Sequence, residues 1–203
     1  QARLSGNLDV ARQHLKSSVR TESGVFRGTL IRAAIALEEE DYARALRLYQ
    51  RVLESDQRLM VEVLPQLIEC YQMTDRQSEL EHYLERVILD NIDAKKNLAY
   101  SAIINKLFEP TVLRACVEDF IFDHELMGAL IDKQRLISLP SGVREQAVLR
   151  IMNGLRQLTL SSTRYRCISC GYSPQRLVWH CPSCKAWETI KPLRDFQFER
   201  LIN

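Results

Sequence analysis

A mainly α-helical protein that ends in a small metal-binding domain follows from three features of the sequence. Residues 1–160 carry apolar side chains at helical spacing with few prolines and no sustained alternation. The same helical pattern repeats at a step of 34 residues. Four of the six cysteines fall in two C-x-x-C pairs near the C-terminus. The expected domains are therefore a helical repeat domain over residues 1–160 and a metal-binding domain over 161–203.

The repeat shows first in Gly6-Asn7-Leu8-Asp9-Val10-Ala11, which aligns with Glu40-Asp41-Tyr42-Ala43-Arg44-Ala45. This pairs Leu8 with Tyr42, Ala11 with Ala45 and Leu15 with Tyr49. The same step carries Tyr49 to Tyr83, Leu30 to Leu64, Ala34 to Ile68 and Leu37 to Tyr71. Thirty-four residues is the period of the tetratricopeptide repeat, a helix-turn-helix unit that stacks into an α-solenoid. Ala45 fits the small residue that lets the second helix nest, and Tyr49 the aromatic four residues later. The consensus Trp, Gly and Pro positions are unmatched, and Glu79 stands where the next alanine belongs.

One half repeat (residues 1–20) and two full units (24–56 and 58–91) are legible. Since about three units are needed to bury a continuous core, further repeats are expected before Gln1. After Asn91 the period is lost. Helices are predicted over Lys96 to Leu107, Thr111 to Phe122, His124 to Ile137 and Gly142 to Leu158, with breaks at Pro110 and Pro140. They read as irregular pairs that cap the array, joined to the tail by Ser161-Ser162-Thr163.

The tail carries the chemistry. Arg164-Tyr165-Arg166-Cys167-Ile168-Ser169-Cys170-Gly171-Tyr172 is followed, with ten residues between Cys170 and Cys181, by Cys181-Pro182-Ser183-Cys184. A C-x-x-C turn aims two sulfurs at one ion while turn N–H groups point at the thiolates, and Gly171 is suited to the positive φ at the turn exit. Cys167, Cys170, Cys181 and Cys184 thus predict one tetrahedral zinc or iron site. His180 stays outside a shell that four thiolates already fill, and such a closed shell offers no water the open position that hydrolytic zinc needs. Disulfides would waste the turn geometry, and a thioredoxin-like role lacks its β-α-β setting. So small a domain draws most of its folding free energy from the ion. Tyr165, Tyr172, Trp179, Trp187 and Phe196 are expected to pack around it. Cys70 and Cys116, each alone in an apolar helical pattern, are expected in the core.

Charge and the remaining motifs narrow the function classes. From Arg164 onward there are seven basic and three acidic residues, net +4, against −2 for the rest of the chain. A nucleic-acid-binding ribbon is one reading of that excess and predicts steeply salt-dependent affinity, although a four-thiolate site with a divalent ion itself carries about −2. An iron redox protein is another, and predicts a red, reversibly reducible form. His14, His82 and His124 sit on separate helices without acid or cysteine partners at ligand spacing, and no catalytic constellation is present. No apolar run reaches membrane-spanning length. The repeat's geometry offers Arg27, Leu30, Ala34, Leu37 and Glu38 in one unit and Val61, Leu64, Ile68, Tyr71 and Gln72 in the next as groove-lining candidates for a protein partner, the apolar ones serving equally well as core.

The tail, with Arg164-Tyr165-Arg166-Cys167-x-x-Cys170-Gly171, Trp179-His180-Cys181-Pro182-Ser183-Cys184-x-Ala186-Trp187 and Thr189-Ile190-Lys191-Pro192, resembles the C-terminus of the LapB (YciM) family of lipopolysaccharide assembly proteins of Gram-negative bacteria. The resemblance implies a tetratricopeptide-repeat domain and a rubredoxin-like metal domain on the cytoplasmic face of the inner membrane, held there by an N-terminal transmembrane helix outside this sequence. It implies a non-enzymatic adaptor that lowers lipopolysaccharide synthesis by promoting degradation of the deacetylase LpxC by the protease FtsH. The four cysteines carry over as ligands. Rubredoxins have glycine after the second knuckle where this chain has Lys185, which favours a structural ion over electron transfer.

Overall fold

A computed structural model describes residues 10, 22–90, 92–123, 127, 131–161 and 163–193. Its residues divide into two compact units, Gln1–Val87 and Ile88–Asn203.

In the first unit, α1 (Glu22–Glu38) and α2 (Tyr42–Ser55) form one antiparallel hairpin, and a 3-10 turn (Gln57–Leu59) leads into α3 (Met60–Met73) and α4 (Gln77–Asp90). Asp41 starts α2 by accepting the Arg44 N–H at 3.1 Å, which satisfies one of the orphan donors of the first turn. The buried face of α2 is Ala45, Leu46, Tyr49, Val52 and Leu53, one stripe of a 3.6-residue helix. Leu59, Met60, Leu64 and Leu67 complete the core from the next pair. Each such side chain contributes roughly 1.5–3 kcal/mol of burial.

The two hairpins repeat, with a shift. The turn after α1 has Glu40 at φ 59° and the turn after α3 has Asp75 at φ 54°. Asp41 N–H bonds to Ala36 O and Arg76 N–H to Tyr71 O, each at 2.9 Å. The equivalent turns thus lie 35 positions apart, from Glu40 to Asp75. Burial follows this step: Thr29 and Leu64, Ala33 and Ile68, and Ala36 and Tyr71 are all buried. Leu80, not Glu79, takes the place of Ala45; Leu80 is buried and Glu79 is exposed. One residue on a helix turns a side chain by about 100°, so the single extra position explains the misfit of Glu79.

In the second unit, α5 (Ile92–Asn105) packs on α6 (Thr111–Asp123), and α8 (Ser141–Ser161) packs on α5. Ala94, Leu98, Ala99, Ala102 and Ile103 face Leu113, Cys116, Val117 and Ile121, with Val148, Met152 and Leu155 from α8 also buried. Arg156 Nε donates to Ile104 O at 3.0 Å, and Arg114 reaches both Glu109 and Glu145 at 2.7 Å. The helix expected over His124 to Ile137 is broken: Ile131 and Asp132 are non-helical, and Asp132 caps α7 (Lys133–Ser138) through Arg135 N–H at 3.0 Å. A capping aspartate competes well with continued helix because its carboxylate serves the N–H groups of a new first turn. Most of residues 124–130 lie outside the described residues.

The helices lead into β1 (Tyr165–Cys167) and β2 (Ile190–Pro192), an antiparallel pair with Cys167 opposite Ile190. Among the described residues no helix is long and apolar enough to cross a membrane.

Candidate metal centre

Two turns of the same shape supply the four sulfurs. In the first, Gly171 N–H closes on Cys167 O at 2.9 Å and Cys167 N–H on Tyr172 O at 2.7 Å. In the second, Lys185 N–H closes on Cys181 O at 3.0 Å and Cys181 N–H on Ala186 O at 2.9 Å. The leading cysteine of each pair, Cys167 and Cys181, is buried, while the trailing ones, Cys170 and Cys184, are exposed. Backbone N–H groups of Tyr172 and Ala186 point at Cys170 and Cys184 respectively. The two knuckles thus repeat one another in backbone hydrogen bonds, burial and N–H contacts to sulfur.

The sulfurs lie within 4.8 Å of one another. Across the knuckles, Cys167 Sγ is 3.7 Å from Cys184 Sγ, and Cys170 Sγ is 3.7 Å from Cys181 Sγ. A tetrahedron with metal–sulfur bonds of about 2.3 Å has edges of about 3.8 Å, so the donor set fits one ion. The protonation pattern agrees. The Thr189 hydroxyl, 3.2 Å from Cys167 Sγ, holds that thiol down at about 6, aided by the N–H groups of Cys170 and Ser169. The N–H of Tyr172 lowers Cys170. Although the N–H of Ala186 favours its thiolate, Cys184 is pushed up to about 12 by partial loss of hydration and by its three sulfur neighbours. Charge crowded so closely is carried by protons or by a cation, and a divalent ion supplies the cation.

Little else holds the ribbon. Its buried cluster is Tyr165, Cys167, Cys181 and Ile190, flanked by Leu177 and Val178. Trp179 is half-buried, but Tyr172 and Trp187 are 41% and 60% exposed, contrary to the expectation that they pack around the ion. The turn backbone covers only Cys167 and Cys181, and those rings lie outside the buried cluster. The Trp187 ring lies tilted against His180 with centroids 4.8 Å apart, and the two residues pair in an isolated bridge. His180 is exposed and not among the grouped ligands, as expected. Phe196, His14 and His124 lie outside the described residues; His82 is exposed on α4 beside Glu85. Cys70 and Cys116 are buried in helices, and burial pushes both thiols up to about 11.

Of the groove candidates, Arg27, Leu30, Ala34 and Leu37 are partly accessible and Glu38 and Gln72 exposed. Val61, Leu64, Ile68 and Tyr71 are buried within their unit. The 35-residue step makes Pro65, Glu69 and Gln72 the equivalents of Leu30, Ala34 and Leu37, and these keep some access to solvent.

The knuckles differ in one respect. Gly171 exits the first at φ 78°, where glycine is at no disadvantage, whereas Lys185 exits the second at φ 61°. Lys185→Gly is expected to stabilise the loaded ribbon by roughly 1 kcal/mol, the left-handed penalty of a side chain less the extra chain entropy of glycine. Metal release to a chelator should slow by a factor of about five; a faster release would show that the Lys185 side chain, not its backbone, is what the turn requires.

Helices stacked as hairpins and a terminal pair of C-x-x-C knuckles define a helical scaffold with a rubredoxin-type metal domain. Residues 165–192 match a family described as a rubredoxin metal binding domain. Over most of its length the chain is similar to lipopolysaccharide assembly protein B: it is 29% identical to that of Escherichia coli strain K12 over 197 residues, covering 96% of this chain and 50% of the relative. The Haemophilus influenzae protein of the same name is 26% identical over 194 residues, covering 91% of this chain and 47% of the relative. The resemblance read from the tail is thereby borne out. The chain spans about half the length of the curated relatives it matches.

Proposed function

We propose that this chain is a non-enzymatic adaptor in lipopolysaccharide assembly, in which repeat hairpins hold a protein partner and a metal domain of residues 161–203 carries one structural zinc or iron ion. The observation that carries this reading is the closed set of four thiolates in paired knuckles, which leaves a tetrahedral ion no open position for substrate. The finer reading is that the adaptor lowers lipopolysaccharide synthesis by promoting FtsH-dependent proteolysis of LpxC at the cytoplasmic face of the inner membrane. Homologues named for lipopolysaccharide assembly along 96% of the chain support the assembly role, and the finer reading rests on the resemblance of the tail. Extended repeat surfaces suit such partners. Arg27, Leu30, Ala34, Leu37, Glu38 and Gln72 are the accessible candidates for the groove.

The test pairs elemental analysis of the purified chain with LpxC turnover in cells carrying Cys181→Ser. One equivalent of zinc or iron in the parent and loss of turnover in the variant, with the helical circular dichroism retained, are the expected results. A variant that sustains normal turnover would detach the metal domain from the function.

A further inference from the structure

We propose that the α2–α4 face of the first unit is a docking groove for an acidic peptide segment of a partner protein, received by Arg47, Arg76 and Arg86. A depression of about 650 Å³ lies between these helices and the end of α3, walled by those three arginines and floored by Leu46, Tyr71 and Tyr83. A smaller one of about 380 Å³ adjoins it through Arg47 and Gln50 and adds Arg44 and Arg51. On α2 the three arginines follow at positions 44, 47 and 51, so they share one face.

Five arginines line the two depressions against two acids, Glu54 and Glu79. Arg76 pairs with Glu79 through both guanidinium nitrogens. Arg44, Arg47, Arg51 and Arg86 make no ion pair among the described residues; Arg86 lies 5.9 Å over the Tyr83 ring and Arg76 5.8 Å over Tyr71. Aromatic faces hold both guanidinium planes at the rim, which lowers the entropy lost when they grip a ligand. The Tyr71 hydroxyl accepts the Gln50 amide at 3.1 Å and keeps its own proton to donate.

Three observations select a peptide carboxylate. Every cation between residues 22 and 90 other than histidine is arginine. A guanidinium fork matches a carboxylate with two parallel hydrogen bonds, whereas diffuse attraction to a lipid surface is served equally by lysine. The arginines wall a depression, which accepts an extended chain and not a bilayer plane. No exposed large apolar side chain lies in its lining, so nothing there would insert into lipid. None of the accessible candidates Arg27, Leu30, Ala34, Leu37, Glu38 and Gln72 lines this groove, which shares only the buried Tyr71 with the full candidate set, and its occupancy is independent of the metal.

Fluorescence anisotropy with the metal-loaded chain tests this, using a labelled peptide of alternating glutamate and serine, its glutamine counterpart, and vesicles containing phosphatidylglycerol. The glutamate peptide should bind, the glutamine peptide should not, and Arg47→Gln with Arg86→Gln should weaken binding by about tenfold or more. Arg47→Lys with Arg86→Lys, which keeps charge and fold, should lose most of that affinity too. Arg135→Gln with Arg150→Gln, both exposed in the other unit, should lose none. The proposal is overturned if the glutamate peptide fails to bind, if the lysine pair binds as tightly as the parent, or if only the vesicles bind through Arg47 and Arg86.

Discussion

Stripping the metal is expected to unfold the tail while leaving the helices in place. The buried cluster of the ribbon has four members, two of them ligands, and structural zinc sites contribute on the order of 10 kcal/mol at neutral pH. No comparable apolar burial remains once the ion is gone. Both tryptophans of the chain, Trp179 and Trp187, belong to this domain, so tryptophan emission reports on it alone. Far-ultraviolet circular dichroism at 222 nm reports almost wholly on the helices, since the only described strands are three residues each. A strong chelator, or Cys181→Ser, should shift the emission and change the ellipticity little. Acid should do the same, because protons displace the ion from thiolates. An emission spectrum indifferent to chelator would mean that the ribbon folds on apolar contacts, against the smallness of its cluster.

Leu64→Ala is expected to cost the first unit about 3 kcal/mol, read as a lower urea midpoint at unchanged slope. Leu64 is 0% exposed, and buried leucine truncations cost roughly 2–5 kcal/mol through lost transfer energy and the cavity left behind. Leu37→Ala, at the half-buried next-to-last position of α1, should cost about 1 kcal/mol on the same scale. Such a loss is a large share of the 5–15 kcal/mol that a domain holds in total. A cost below about 1 kcal/mol at Leu64 would return that side chain to the groove and make it a partner contact.

The metal site was legible in the sequence because its information is local. Two C-x-x-C turns fix sulfur geometry within a few residues, and Gly171 marks the backbone conformation outright. The same locality failed at Lys185, whose positive φ has no residue signature. The helical hairpins were legible from spacing, but their register was not. Matching Tyr49 to Tyr83 and Leu30 to Leu64 gave 34 residues, because neighbouring apolar positions on a buried helix can substitute for one another in a pattern. The turns at Glu40 and Asp75 set the true step, and neither carries the glycine that would have announced it. Tyr172 and Trp187 were misplaced for a related reason: aromatic residues near a small site suggest core, while the turns place their sulfurs by backbone hydrogen bonds and need no ring to cover them. The arginine-lined groove escaped notice because it is assembled from α2, the end of α3 and α4, and no stretch of sequence contains it.

The burial of Cys70 and Cys116 sorts the six thiols into classes with separate chemistries. Those two are held protonated by their surroundings and stay silent to an alkylating agent until their helices open. The other four are masked only while an ion is bound, and Cys170 and Cys184 already face solvent. Counting labelled thiols in one sample therefore reads two events at once: four sites opened by loss of the ion, and two more by loss of the helices. Such labelling could follow both states of the protein inside a living cell, without a tag.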